Sequence, residues 1–205
     1  MKTGVYSFYN VIMIYGEKMK KNLIKKFDSY FIKLINNKSK NKYFDKFFPK
    51  FTYSGGLIFI VVMILFIFIY NGEKLSRNLS VEIAVAQIFT SICVYFIKII
   101  TSRERPYDTL EDINTYGYEL KDYSFPSGHS AAASAFATII AINFPHLLIP
   151  MVFYALLVAM SRVYLAVHYP TDVVVGLMIG FAIAYLSHNE IFPMCLKFAA
   201  VRRLI

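Results

Sequence analysis

Three short stretches gather the side chains best suited to chemistry. In "KIITSRERP" (98–106), Lys98 and Arg105 stand seven residues apart, two helical turns. On a continuous helix the two cations share a face, and Pro106 then ends that helix. In "PSGHS" (126–130), Ser127 sits where a helix N-cap belongs, Gly128 lets a ligand approach the backbone, and His129 falls in the first turn. The unpaired N–H groups of such a turn, with the helix dipole, attract anions. In "SRVYLAVHYPTD" (161–172), Arg162 ends one apolar run and His168 lies in the turn that follows. Pro170 suits the first position of a new helix, which puts Asp172 in its first turn. From there the carboxylate is expected to reach one ring nitrogen of His168, fix its tautomer and aim the other nitrogen at a substrate.

Taken singly, each feature has a plain structural explanation. Lys98 and Arg105 could be cations snorkelling at a membrane interface. His129 could be an interfacial histidine bonded to a carbonyl, and Asp172 an acid that complements a helix dipole. Together they make a different set: three cations, a helix N-terminus, two histidines and a carboxylate. The cations and amides describe an oxyanion binder, with phosphate as the natural ligand. The histidines divide a displacement reaction between nucleophile and acid. No step calls for a metal or other cofactor. His129, His168 and Asp172 could be metal ligands instead, but a metal cation would compete with Lys98, Arg105 and Arg162 for the same space.

The elements that must position these groups belong to a membrane protein. Of the 205 residues, 57% are hydrophobic and only 17% charged, against about 45–50% and about 25% in ordinary soluble domains. Five spans are expected, about 20 residues each: Phe51–Gly72, Ser80–Ile100, 128–144, 149–167 and 171–188, the third and fourth divided by Pro145 and Pro150. The alanines and serines of 130–137 and the pair Gly176 and Gly180 mark faces where helices approach closely. This arrangement brings all three clusters to one side of the membrane.

The net charge of +9 lies wholly in residues 1–50, which hold 12 Lys and 3 acidic residues. Within them, Leu23, Ile24, Phe27, Phe31, Leu34 and Ile35 recur at helical spacing with Lys between. That pattern predicts an amphipathic helix on the bilayer surface, with anionic lipids rather than nucleic acid as its partner. The same helix could instead pack on the rest of the protein. No obligate protein partner is inferred. Residues 1–18 could be an extension ahead of a start at Met19. The organisation read here is a basic segment (1–50), a membrane domain (51–190) and a short basic tail (191–205). Cys93 and Cys195 fit neither a metal spacing nor a disulfide framework.

The three motifs resemble those of the type 2 phosphatidic acid phosphatase superfamily, K-x6-R-P, P-S-G-H and S-R-x5-H-x3-D, with every spacing matched across about residues 50–190. The resemblance implies an all-α membrane bundle that removes phosphate from lipid phosphates or diphosphates without a metal. It implies that His168 attacks phosphorus, Asp172 orients it and His129 protonates the leaving oxygen. Lys98, Arg105, Ser127, Gly128 and Arg162 would cradle the phosphoryl oxygens. Undecaprenyl diphosphate and phosphatidylglycerophosphate are the substrates that similar small members suggest. A lipid phosphotransferase and a non-catalytic lipid-phosphate binder or transporter are the alternatives, the latter opposed by the intact histidines. With five spans, the basic segment and the site share a side. The positive-inside rule puts that side in the cytoplasm; the resemblance points outward, and an extracytoplasmic site in the cell membrane is the expectation adopted.

Overall fold

The computed structural model describes residues 22–70, 74–118 and 120–202. Residues 1–18, part of the polar turn at 71–78, and Glu119 of the long loop lie outside the described residues. Helix α1 (22–33) runs into a wider π-type turn at Leu34–Lys38. It is followed by α2 (Lys42–Phe51), α3 (Leu57–Tyr70), α4 (Lys74–Thr101), the short α5 (Pro106–Thr109), α6 (Gly128–Asn143), α7 (Leu148–Tyr164), α8 (Pro170–Leu186) and α9 (Phe192–Arg202). There is no strand among the described residues.

Helix α6 is the axle. Ala131, Ala133, Ala135 and Ile139 are fully buried, with α4, α7 and α8 packed around it. The small side chains allow that proximity, and α8 exploits it. A Cβ on Gly176 would stand 2.6 Å from the Ser127 carbonyl oxygen, and one on Gly180 would fall on the Ala131 carbonyl. At the far end, Glu82 of α4 accepts from Asn143 of α6 (3.1 Å) and pairs with His188 (2.6 Å). A carboxylate inside the bundle thus has partners from two other elements, as a low-dielectric site demands.

Among the described residues, three helical stretches are long and apolar enough to cross a membrane: Ser76–Thr109, Pro145–Tyr164 and Pro170–Phe198. Lys42–Gly55 and Leu57–Tyr70, bent by 58°, would make a fourth if they act as one span. The expected spans from Ser80 onward coincide with α4, α6, α7 and α8 to within a few residues, although α6 has only 16 residues and is buried along most of its length. The expected first span, Phe51–Gly72, is corrected. The chain is already helical from Lys42, tightens into a 3-10 turn at Thr52–Gly55 and passes through extended Gly56 before α3 starts at Leu57. A Cβ on Gly55 would strike the Val158 side chain at 2.4 Å, and one on Gly56 would crowd the Tyr53 carbonyl oxygen at 3.1 Å with His129 Nε2 in contact at 3.4 Å. The C-terminal segment is likewise helical, through Ser187–Ile191 and α9, rather than a plain tail.

Helix α1 presents Leu23, Ile24 and Phe27 outward, 65%, 51% and 49% exposed, and buries Asp28, Ile32 and Asn36. It is therefore docked on the protein along one face while its aliphatic face stays uncovered. Asn36 accepts from the Asn114 backbone (2.8 Å) and donates to the Tyr164 carbonyl (2.6 Å). The tyrosines of the long loop are fastened too. Tyr116 and Tyr164 both donate to Asp45 of α2 at 2.6 Å, and Tyr118 donates to the Pro49 carbonyl at 2.8 Å. The loop is packed onto α1 and α2, not merely solvated.

Candidate active site

The C-terminal ends of α4 and α7 and the N-terminal ends of α6 and α8 meet at one end of the bundle. Each of the eight residues expected at the site lies at or beside one of these ends. The route by which Lys98 and Arg105 meet differs from the expectation of a shared helix face. Helix α4 ends at Thr101, Ser102 turns into the left-handed region (φ 44), and Arg105 is extended, as a residue preceding proline must be. Pro106 opens α5 instead of closing α4.

What joins the two cations is Asp122. Its carboxylate accepts from Lys98 Nζ at 2.7 Å and from Arg105 Nη2 at 2.6 Å. Partial burial would raise this carboxyl, but the two cations outweigh it and hold it at about 2. Backbone carbonyls secure the same cations. Arg105 donates through Nε to Asp122 O (2.8 Å) and through Nη1 to Val167 O, and Lys98 donates to Tyr123 O. Arg105 is 2% exposed.

His168 is buried in the turn between α7 and α8. Its Nδ1 lies 2.7 Å from the Ser124 carbonyl oxygen. A carbonyl only accepts, so Nδ1 carries the proton and Nε2 keeps its lone pair. That Nε2 stands 3.5 Å from Arg105 Nη1. Burial, then the nearby Arg162, Arg105 and Lys98, holds the imidazole well below the usual histidine range, so the ring is neutral at physiological pH. The expected direct bond from Asp172 is corrected. Its Oδ2 is 3.7 Å from Nδ1, beyond hydrogen-bonding reach, and accepts instead from the Ser124 hydroxyl and the Tyr169 amide (2.8 Å). Asp172 is thus linked to the ring by hydrogen bonds through Ser124, whose hydroxyl donates to it and whose carbonyl meets Nδ1. The Asp172 side chain is occupied by the N-terminus of its own helix, whose open amide competes for the same oxygen.

Ser127 caps α6 as expected, accepting from the Ser130 hydroxyl at 2.9 Å and more weakly from its amide at 3.4 Å. Arg162 is 1% exposed; it donates to Thr52 Oγ1 at 2.6 Å, while its Nε has no partner among the described residues. A buried guanidinium N–H without a partner is costly unless an anion or water meets it. The His129 side chain makes no hydrogen bond to another described residue; its ring lies beside Gly56 at the bend between α2 and α3.

The sequence reading missed Arg103, Asp28 and Ser124. Arg103 bridges two buried carboxylates, Asp172 Oδ1 and Asp28 Oδ2, each at 2.6 Å, and lies 4.0 Å over the Tyr169 ring. Asp28 also accepts from the amide (3.1 Å) and hydroxyl (2.7 Å) of Thr171. A basic residue lodged between Lys98 and Arg105 was a usable signal for Arg103. An acid in the middle of a lysine-rich helix was a faint one for Asp28.

Comparison with known proteins decides the family. The PAP2 superfamily model matches residues 78–192, a stretch holding all eight expected site residues. The chain belongs to the PAP2 superfamily. An undecaprenyl-diphosphatase from Sulfolobus acidocaldarius is 30% identical over 138 residues, 66% of this chain and 64% of that protein. Among solved structures, Aquifex aeolicus LpxE superposes with a TM-score of 0.71 at 30% identity, covering 78% of this chain and 94% of that one. A phosphatidylglycerolphosphate phosphatase from Bacillus subtilis shares the fold, with a TM-score of 0.65 at 23% identity over 90% and 94% of the two chains. The PAP2 match begins at residue 78, so Asp28 and Thr52, which hold Arg103 and Arg162, come from outside it.

Proposed function

We propose that this protein is a membrane phosphatase that hydrolyses a lipid phosphate or diphosphate through a phosphohistidine intermediate. The observation that carries the reading is the disposition of His168. One ring nitrogen is pinned as a donor to the Ser124 carbonyl, and the other is free beside Arg105 at 3.5 Å. In the first step the Nε2 lone pair forms a bond to phosphorus, and the bond from phosphorus to the leaving oxygen breaks. His129 gives its proton to that oxygen. Charge on the ring is relieved through Nδ1–H and the Ser124 carbonyl, which Asp172 steadies through the Ser124 hydroxyl. Lys98, Arg105, Arg162 and the start of α6 at Ser127 and Gly128 bind the phosphoryl oxygens. Water, deprotonated by His129, then breaks the P–N bond and restores both histidines.

The names of its relatives support undecaprenyl diphosphate and phosphatidylglycerophosphate as the first substrates to try. Purified protein in detergent should release inorganic phosphate from at least one of prenyl diphosphate, phosphatidylglycerophosphate and phosphatidate, with or without a chelator. No release from any of the three sinks the reading; release that the chelator stops sinks its metal-free form.

Arg103 touches Asp172 and not the phosphoryl site, so it serves as a positioning residue. Arg103→Ala should lower kcat about tenfold or more while moving KM little, and Arg103→Lys should recover part of the loss. A change confined to KM would assign Arg103 to substrate binding.

The basic α1, with its uncovered aliphatic face, rests on anionic lipid, and the site opens away from the cytoplasm. Asp112 is exposed in the loop over the site. An Asp112→Cys variant in intact cells should therefore react with a membrane-impermeant maleimide. Protection until the cells are lysed would reverse the orientation.

A further inference from the structure

Two cations of the site, Lys98 and Arg105, already hold an anion of the protein's own. Asp122 spans Lys98 and Arg105 with one oxygen on each. It has the chemistry of a phosphoryl edge: two oxygens, a negative charge and short charge-assisted bonds. Yet little else holds it. The Asp122 side chain is 59% exposed, whereas Arg105 is 2% exposed. The anchoring of the cations does not depend on this carboxylate, because Arg105 keeps its bonds to Asp122 O and Val167 O, and Lys98 its bond to Tyr123 O. The loop stays in place through Tyr116 and Tyr118. A turn of one side chain into water would vacate both cations and leave the cradle standing.

We propose that Asp122 is a built-in stand-in for the substrate phosphate, displaced on binding, and that it thereby sets the charge a head group must carry to enter. This rests on the phosphatase reading for its substrates, though not for the anion site itself. A monoanionic phosphodiester would exchange one single charge for another and gain little. A terminal phosphoryl group, dianionic and with three free oxygens, outcompetes the carboxylate. Asp122 on this account raises the intrinsic affinity an anion needs in order to enter, a threshold that terminal phosphates and diphosphates clear and phosphodiester head groups, which abound in any membrane, do not.

The opposite role would make Asp122 a clamp that pre-orients Arg105, and the two roles predict opposite signs. Orthophosphate and dimethyl phosphate binding would be measured by calorimetry on the detergent-solubilised full chain, for wild type, Asp122→Asn and Asp122→Ser. Both variants should bind orthophosphate about tenfold more tightly, and dimethyl phosphate, the weaker ligand throughout, should gain a similar factor. Unchanged or weaker orthophosphate binding in both variants, or dimethyl phosphate binding that stays unchanged while orthophosphate binding tightens, overturns the proposal. Phosphate release by wild type is scored separately. Turnover with unaltered binding in the variants removes the stand-in and leaves the phosphatase. Tighter binding without wild-type turnover removes the phosphatase and keeps the stand-in. Binding to none of the three proteins removes the stand-in, and the phosphatase then stands or falls on release alone.

Discussion

Replacing His168 with alanine is expected to reduce phosphate release by about a thousandfold or more, with the protein still inserted and extractable as a folded species. The size of the effect follows from the geometry. The ring is 2% exposed, its Nδ1 is committed to the Ser124 carbonyl, and its Nε2 is the free lone pair facing Arg105. The remaining cradle would bind phosphate and offer no attacking atom. Because alanine leaves a hole beside Arg105, His168→Gln is the companion variant. It fills the space and can still donate to Ser124 O, but has no nucleophilic nitrogen. Turnover within tenfold of wild type in either variant would rule out the phosphohistidine route.

The largest structural effect is expected at Gly180. A Cβ at that position would land on the Ala131 carbonyl and come within 2.9 Å of the Ser134 side chain. These are backbone and short side-chain atoms of the buried axle helix, which cannot swing aside. Gly180→Ala should force α8 off α6 and cost about 1–3 kcal/mol, and Gly180→Val more. The shift would also carry Asp172 and Ser127, since the Ser127 amide donates to the Asp172 carbonyl at 3.0 Å. Thermal unfolding in detergent checks this. Gly128→Ala is the control, because a Cβ there meets nothing closer than a Val94 methyl at 3.8 Å. Equal melting temperatures for Gly180→Ala and wild type would show that the helices are not in the contact described.

Much of this architecture could be read from the chain because membrane helices advertise themselves. The apolar runs of α4, α6, α7 and α8 are bounded by charge, Gly and Pro, and their edges came out within a few residues. The cluster of Lys98, Arg105, His168 and Asp172 was legible because charge beside lipid is too costly to be idle. What escaped was tertiary. Periodicity carries no sign that Ser102 would take φ 44 and end α4 three residues before Arg105. It could not show that a backbone carbonyl, not Asp172, would reach His168 first, because backbone atoms look alike in every residue. The bend after Phe51 went unseen since Gly55 and Gly56 were read as part of an uncharged run. Their meaning depends on Val158 and His129, about a hundred and about seventy residues away in the chain.

The salt bridge from α1 to Arg103 bears on modularity. The PAP2 match begins at residue 78, yet the acid that steadies the far side of Arg103 is residue 28. A graft of residues 78–192 onto another leader sequence would move the reacting groups intact and strand Arg103 with one carboxylate instead of two. The unit that keeps Arg103 paired on both sides is thus wider than the stretch of the PAP2 match. Exchange among relatives would be expected to succeed only when the lysine-rich helix travels with the bundle.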